Sequence, residues 1–225
     1  MKKIVFIMMA MLMAVIPSTA QNYKHSKYYN QKTGHLDYGF NNKGIDTYYG
    51  IRIGPGFSYV TSDDSRLDGG DWQTGLNVGV VAGFPLTYSD PLYLETGLYY
   101  IEKGGKKSLG GGKKMTYDLN YLEIPVVVKY KYEIDDDLTI EPFAGGYFAA
   151  GVGGKIKNFA EREAQSSFRS DNFRRLDGGL RIGCGIGYDM FYGDLTYDIG
   201  LANICHDTFD KARNRAVMLN FGVNF

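Results

Sequence analysis

The sequence predicts an all-β protein whose chain forms a closed, eight-stranded, antiparallel up-and-down transmembrane β-barrel. Three observations lead to this prediction. Eight segments alternate between apolar and polar or small residues, the connections between those segments are long and short in turn, and the non-apolar face of the segments is rich in glycine. None of the eight segments has the 3.6-residue period of an amphipathic helix.

The N-terminus has the pattern of a secretory signal peptide. Two lysines precede an apolar run over residues 4–16, and Ser18 and Ala20 occupy the positions that a signal peptidase recognises. The apolar run is shorter than the roughly 20 residues that a membrane-spanning helix needs. We therefore predict a cleaved signal peptide, residues 1–20, and an exported protein.

The remainder of the chain divides into two parts. Residues 21–47 are polar, rich in Tyr and Asn, and lack sustained periodicity, so we predict an N-terminal arm. Residues 48–225 contain the alternating segments and are predicted to form the barrel. The 30 glycines and 19 tyrosines suit a barrel better than a helical bundle. The 25 basic and 25 acidic side chains balance, which gives no electrostatic footprint for nucleic acid.

Each predicted strand has an apolar face and a polar or small face. In the last strand, Val217, Leu219 and Phe221 lie on one side, because side chains alternate along an extended chain. A strand of about ten residues, at ~3.3 Å per residue and tilted by ~40°, rises roughly 25 Å, which matches the apolar band of an outer-membrane barrel. The eight predicted strands are residues 48–60, 74–84, 92–102, 117–132, 138–154, 174–188, 193–202 and 217–225.

The connections between the predicted strands alternate in length without exception. Outer-membrane barrels have short periplasmic turns and longer extracellular loops. The alternation therefore predicts a barrel in the outer membrane of a Gram-negative type of cell, with both ends of the barrel chain on the periplasmic side. The long connections are residues 61–73, 103–116, 155–173 and 203–214, and the short ones are residues 85–91, 133–137 and 189–191.

Alternation alone does not distinguish a membrane barrel from a lipocalin, in which the apolar face points inward to a ligand. Three features favour an apolar face towards lipid: the glycine-rich opposite face, which suits a crowded lumen, the tyrosines at strand ends, which suit aromatic girdles, and the alternating connections. Proline lacks an N–H group and a closed barrel has no free edge. We therefore expect bulges or bends at Pro55 and Pro125.

Charged residues on the glycine-rich face are expected to point into the lumen. One interpretation is a narrow ion path or a small polar binding site, and the other is a network of salt bridges that fills the lumen. We predict the filled lumen, because eight strands leave no aqueous channel of porin size. The basic residues of the sixth predicted strand are expected to pair with the aspartates of the seventh. The predicted lumen network consists of Arg52, Glu95, Glu123, Lys129, Lys131, Glu141, Arg175, Asp177, Arg181, Asp194 and Asp198.

Patterns typical of catalytic or metal sites are sparse. His25 and His35 lie in the predicted arm, His206 lies beside Asp207 in the last long connection, and Ser170 lies in the preceding long connection. These loop residues leave an active site at the extracellular rim open as an alternative, but we predict that the protein is not an enzyme. No cluster of metal ligands with usable spacing occurs in the sequence, and no cofactor is predicted.

The connection after the third predicted strand carries five lysines. Exposed lysines near a membrane surface attract anionic lipid head groups. These lysines are therefore candidates for contact with the phosphate groups of lipopolysaccharide. They are Lys103, Lys106, Lys107, Lys113 and Lys114.

Four segments resemble the PorT-like family of outer-membrane β-barrel proteins. Residues 121–130 (YLEIPVVVKY) and the preceding residues 97–105 (GLYYIEKGG) are similar to a central segment of that family. Residues 50–60 (GIRIGPGFSYV) are similar to its first strand, and residues 220–225 (NFGVNF) are similar to its last. The resemblance implies insertion by the barrel-assembly machinery, which recognises a terminal aromatic residue. The implied C-terminal assembly signal is Phe221, Val223 and Phe225.

The predicted function is that of an integral outer-membrane barrel with a filled polar lumen and a structural or interaction role, exerted through the extracellular loops or residues 21–47. The resemblance implies an alternative, a component of a protein secretion apparatus, because the founding PorT-like member takes part in secretion. A narrow transporter is a further alternative. The expected partners are outer-membrane lipid, lipopolysaccharide, the barrel-assembly machinery and a protein bound by the loops or the arm, but not nucleic acid.

Overall fold

The structure is a computed structural model that describes residues 47–63, 71–87, 90–110, 113–135, 137–157, 164–168, 173–205 and 211–225. The predicted signal peptide, residues 1–20, and residues 21–46 of the predicted arm lie outside the described residues. No helix in the described part is long and apolar enough to cross a membrane. Its eleven strands are β1 (Tyr48–Ser62), β2 (Gln73–Pro85), β3 (Leu92–Gly110), β4 (Lys113–Tyr130), β5 (Tyr132–Asp135), β6 (Leu138–Gly153), β7 (Lys155–Lys157), β8 (Gln165–Ser166), β9 (Leu176–Tyr188), β10 (Phe191–Gly200) and β11 (Ala212–Asn224).

Eight of these strands form one closed barrel. In the order β1, β2, β3, β4, β6, β9, β10 and β11, each strand pairs antiparallel with the next. β11 then pairs antiparallel with β1, where Ile53 lies opposite Phe221 and Phe57 lies opposite Val217. The predicted fold class, a closed eight-stranded antiparallel up-and-down β-barrel, is confirmed.

The apolar face of the barrel strands points outward, as predicted. Ile53 and Phe221 are 52% and 54% exposed, whereas Arg52, next to Ile53, is 1% exposed. An apolar exterior around a charged interior is the arrangement of a barrel in lipid and the reverse of a lipocalin. Exposed apolar residues on the other barrel strands include Leu76, Leu98, Ile124, Phe148, Ile186 and Leu195.

The strand ladder is interrupted at the two prolines, but it contains no bulge there. β1 and β11 lack two residue pairs around Pro55, and β3 and β4 lack two pairs opposite Pro125. The register is the same on both sides of each gap, so of the two alternatives, bulges or bends, the bulges are wrong and the bends stay a prediction. A proline removes one N–H group from the ladder, and the Thr96 hydroxyl donates a hydrogen bond to the Pro125 carbonyl oxygen at 2.7 Å.

The two ends of the barrel differ in construction. At the end with the short turns, which the sequence predicts to be periplasmic and which we call the periplasmic end, Asp189 and Met190 form the tight turn between β9 and β10, and Asp189 has a φ of 52°. At the opposite end, which is predicted to be extracellular and which we call the extracellular end, β3 continues to Gly110 and β4 begins at Lys113. β7 pairs with β4, and β8 pairs with β7. The prediction of a loop over residues 103–116 is therefore wrong, because β3 and β4 continue to pair there beyond the apolar run.

Candidate functional site

Four charged side chains from four strands meet inside the lumen, and we call them the central ion cluster. They are Lys103 of β3, Glu123 of β4, Arg181 of β9 and Asp198 of β10. Lys103 Nζ lies 2.7 Å from Glu123 Oε2 and 3.0 Å from Asp198 Oδ2. Arg181 donates to Asp198 Oδ1 from Nε at 2.7 Å and to Asp198 Oδ2 from Nη2 at 2.9 Å, and it also donates to Glu123. The two cations and two anions balance.

The central ion cluster is excluded from solvent. The exposed fraction of its four side chains does not exceed 6%. Lys103 Nζ lies 4.2 Å from the centre of the Tyr147 ring, which adds a cation–π attraction. A buried charge is costly unless it is paired and hydrogen-bonded. The arrangement meets that condition, so these four side chains can fill the lumen without leaving a net charge.

A second group lies nearer the periplasmic end, and we call it the periplasmic ion cluster. It consists of Glu95, Lys129 and Glu141, the hydroxyl groups of Tyr48 and Tyr192, and Arg52. The Arg52 guanidinium lies 3.9 Å from the centre of the Tyr192 ring and donates to the Val223 carbonyl oxygen and to Asn224 Oδ1, at 3.1 and 2.6 Å. Lys129 Nζ lies 2.7 Å from Glu95 Oε2 and 3.5 Å from Glu141 Oε2. Lys129 also donates to the Tyr192 hydroxyl oxygen at 2.8 Å. The Tyr48 hydroxyl donates to Glu95 Oε2 at 2.5 Å.

Two further predicted lumen carboxylates are held by neutral donors. Asp194 Oδ1 accepts hydrogen bonds at 2.7 Å from the Thr196 hydroxyl and from the Asn220 amide. Asp177 Oδ2 accepts a hydrogen bond at 2.8 Å from the Asn214 amide. The expected salt bridges between the sixth and seventh predicted strands are thus correct for Arg181 and Asp198. They are wrong for Asp194, whose hydrogen-bond partners in the described part of the chain are neutral.

Arg175 and Lys131 depart from the predicted network. Arg175 is exposed and donates to the Gly151 carbonyl oxygen at 3.0 Å, because it precedes β9 and does not share the inward face of that strand. Lys131 is half-buried between β4 and β5. Its Nζ lies 3.7 Å from the centre of the Tyr48 ring and 4.6 Å from that of Tyr93. It therefore lies over aromatic rings instead of forming a salt bridge with another described residue.

Sequence reasoning also missed a member of the network. Lys103 was expected in an extracellular loop, but it is fully buried in the central ion cluster. Alternation from Tyr99 and Ile101, which both point inward, places residue 103 on the same face. The double glycine that follows obscured this signal, because it favours a loop. The prediction that Lys103 contacts lipopolysaccharide is therefore wrong.

Apolar side chains close the extracellular mouth of the lumen, and we call this cluster the extracellular plug. Phe173 stacks on Tyr117 at a ring distance of 5.6 Å, and Phe168 meets Tyr121 edge-on at 5.6 Å. The Phe173 N–H donates to the Ser167 carbonyl oxygen at 3.1 Å, which holds the two phenylalanine segments together. The plug consists of Val60, Met115, Tyr117, Leu119, Tyr121, Tyr147, Ala149, Phe168, Phe173, Ile204, Cys205 and Ala212.

Aromatic rings cover several inward glycines and complete the filling of the lumen. A Cβ atom at Gly185 would overlap the Tyr192 ring, and one at Gly83 would overlap the Tyr48 ring. The absence of a side chain at these positions lets the two tyrosines lie flat against the wall and reach the periplasmic ion cluster. The same relation holds for Gly79 with Tyr99, Gly105 with Tyr117, Gly151 with Phe168 and Gly183 with Phe143.

Several predicted residues have no assigned role in the structure. His206, Asp207 and Ser170, the candidates for a rim enzyme, lie outside the described residues, and so do the side chains of Lys113 and Lys114. Lys106 and Lys107 are half-buried. Phe221 and Phe225 are exposed, Val223 is half-buried, and their role in assembly stays a prediction. No group of metal-ligating side chains occurs in the described residues.

Comparisons with known proteins agree with this architecture. The family model "Outer membrane protein beta-barrel domain" matches residues 20–206. No curated protein matches the sequence significantly.

Three solved structures illustrate the likeness. The attachment invasion locus protein Ail of Yersinia pestis is 17% identical, with 80% of this chain and 99% of that chain covered and a TM-score of 0.42. Neisserial surface protein A is 14% identical, with 80% and 97% covered and a TM-score of 0.43. A major outer membrane protein from Thermus thermophilus is 14% identical, with 80% and 100% covered and a TM-score of 0.48. With the apolar outer wall, the closed barrel and the family match together, the chain belongs to the outer membrane protein β-barrel domain family and is located in an outer membrane of the Gram-negative type.

Proposed function

We propose that this protein is a non-conducting outer-membrane barrel whose lumen is a structural core and whose biological role is an interaction at the extracellular end. The observation that carries the proposal is the central ion cluster, in which four buried charges from four different strands satisfy one another. Such cross-links tie the wall of the barrel together from the inside. A path for a solute would have to break them.

Energetics support a closed lumen. Removing one partner of a buried ion pair typically costs ~3–5 kcal/mol, because the other charge is left uncompensated. An ion that enters must break several pairs in succession, in the central and the periplasmic ion clusters. The extracellular plug adds an apolar barrier above both. An eight-stranded barrel also has an interior only wide enough for side chains.

The extracellular end offers the surface for an interaction. β3 and β4 extend there as a hairpin, and β7 and β8 widen it into a small sheet. The described side chains at the tip of this sheet include the exposed Lys155 and Lys157. Binding residues are disproportionately found on loops held by a rigid scaffold, and the cross-linked barrel is such a scaffold.

Planar-bilayer recording tests the closed lumen. The full chain, purified in detergent and shown to be folded by its heat-dependent gel mobility, should give no steady conductance above that of a mock preparation from cells that lack the protein. A steady conductance that scales with the amount of folded protein contradicts the proposal.

Copurification tests the interaction. The full chain should retain a partner that is lost when the exposed extracellular tip is altered by Lys155→Glu and Lys157→Glu, and retained when residues 21–47 are deleted. Loss only with the deletion would move the interaction to the predicted arm. Components of a secretion apparatus among the copurified proteins would favour the secretion role that the PorT-like resemblance of residues 97–130 implies.

A further inference from the structure

Two arginines lie on the outer wall of the barrel at the extracellular end of β11. Arg213 and Arg215 alternate with Asn214 and Ala216, which are 1% exposed and face the lumen. Arg213 is exposed and Arg215 is half-buried, so both guanidinium groups belong to the outward face. On the same outward face of β11, the apolar column that begins with Val217 continues from them towards the periplasmic end.

Their height places them at the edge of the apolar band. Arg213 is ten residues from Val223 on the same face of β11. At ~3.3 Å per residue and a tilt of ~40°, that separation is roughly 25 Å, which equals the height of the apolar band of an outer-membrane barrel. Arg213 therefore lies level with the head groups of the outer leaflet, and Arg215 lies one step deeper. The cost of an arginine on the wall is small near this interface.

A pair of aromatic side chains adjoins the arginines on the outer wall. Tyr59 of β1 lies opposite Arg215, and Thr61 lies opposite Arg213. The Tyr59 ring lies 4.6 Å from the ring of Trp72, which is 51% exposed. Tyr and Trp favour the head-group level of a membrane, where one end of the side chain is apolar and the other is wet.

Among the residues that the structure describes, the two guanidinium groups have no acidic partner. No described carboxylate forms a salt bridge with Arg213 or Arg215. Asp63 follows the extracellular end of β1, and its N–H donates to the Lys211 carbonyl oxygen at 3.1 Å, beyond Arg213 along the chain. Lys211 therefore adds a further positive charge at the same end of β11. Asp63 lies opposite Lys211 and its carboxylate offsets that charge, so the positive charge of the patch comes from Arg213 and Arg215. The patch is continuous with the lipid-facing wall.

We propose that this patch, formed by Arg213, Arg215, Tyr59 and Trp72, binds a phosphate group of a phosphorylated glycolipid in the outer leaflet. Arginine presents a planar fork of donors that suits bidentate recognition of phosphate. The aromatic rings pack against the sugar and the upper acyl region, while the column below the patch contacts the chains. This site is separate from the lysines of residues 103–116. Because it lies on the outer wall, a test of this site is independent of whether the lumen is closed.

Trp72 is the single tryptophan of the chain, which provides a direct measurement. Detergent-solubilised full chain is titrated with bisphosphorylated lipid A while its tryptophan fluorescence is recorded. We expect a saturable change for the parent protein. Arg213→Gln with Arg215→Gln should weaken binding by roughly 10-fold or more, which corresponds to ~1.4 kcal/mol or more, because the charge-assisted hydrogen bonds to the phosphate are lost.

The matched control changes two exposed arginines that precede β9 at the same end of the barrel, so that the number and type of charges removed are the same. Arg174→Gln with Arg175→Gln should leave the affinity unchanged, and heat-dependent gel mobility should confirm that both variants fold. The proposal is overturned if the arginine variant binds as tightly as the parent. It is also overturned if dephosphorylated lipid A or phosphatidylglycerol micelles titrate equally well, or if inorganic phosphate alone produces the same change.

Discussion

At the scale of single residues, two arginines six positions apart have opposite environments. Arg181 is buried and bonded to Glu123 and Asp198. Arg175 is exposed, and its guanidinium donates to the Gly151 carbonyl oxygen and lies 5.7 Å from the centre of the Phe168 ring. Replacement of Arg181 by Met should lower the free energy of unfolding by about 3–5 kcal/mol, because one buried carboxylate loses its counter-charge. Urea unfolding in detergent micelles, followed by Trp72 fluorescence and gel mobility, measures this loss.

Arg175→Met is the matched control for that measurement, because it removes the same side chain from a solvent-exposed position in the same segment. We expect little change in the free energy of unfolding, as is usual for surface substitutions. Equal losses for Arg175→Met and Arg181→Met would mean that the central ion cluster does not stabilise the barrel more than an exposed contact does.

At the scale of structural elements, the extracellular plug is built by connections and not by the barrel wall alone. Phe168 and Phe173 are supplied by the segments around β8, and they pack on Tyr121 and Tyr117 of β4. The plug buries Cys205 completely. Phe168→Ala with Phe173→Ala should therefore open the plug and expose the Cys205 thiol. In a Cys184→Ala background, the rate of labelling by a water-soluble maleimide should rise strongly above that of the parent, because local opening governs access to a buried group.

Phe148→Ala in the same background is the control, because Phe148 is 73% exposed on the outer face of the barrel and contributes nothing to the plug. Its labelling rate should equal that of the parent. If the plug variant also keeps the parent rate, the phenylalanines do not seal the mouth.

At the scale of the whole molecule, alternation along the chain predicted the barrel and most of its lumen. The alternation of side chains along each strand correctly predicted that Arg52, Glu123 and Arg181 point inward. Lipid around the barrel and close packing in the lumen allow each strand only one orientation. The same rule failed for Arg175, near the start of a predicted strand. It was not applied to Lys103, one residue beyond the end of another predicted strand, because the rule gives no boundary. The plug was not predicted at all, because Phe168 and Phe173 come from a connection without periodicity and meet β4 only through tertiary packing.

A closed lumen predicts how salt affects the stability of the variants. Raising NaCl from ~0.1 M to ~1 M shortens the screening length from ~10 Å to ~3 Å, but it weakens buried ion pairs far less than exposed ones. The destabilisation caused by Arg181→Met should therefore persist in high salt. The exposed pair between Lys157 and Asp118, at 3.2 Å, provides the comparison. The small effect of Lys157→Met on unfolding should vanish over the same range, since surface pairs contribute little and are screened.

Urea titrations of the parent and both variants, in one detergent and at the two salt concentrations, give the loss in free energy of unfolding for each variant at each concentration. If the Arg181→Met difference shrinks with salt as steeply as the Lys157→Met difference, hydrated ions reach Arg181 in the folded barrel. A lumen that admits such ions would be a conduction path, and the closed-barrel proposal would fail with it. If instead only the exposed pair responds, the four charges of the central ion cluster are sealed from the solvent by the periplasmic ion cluster below and the plug above.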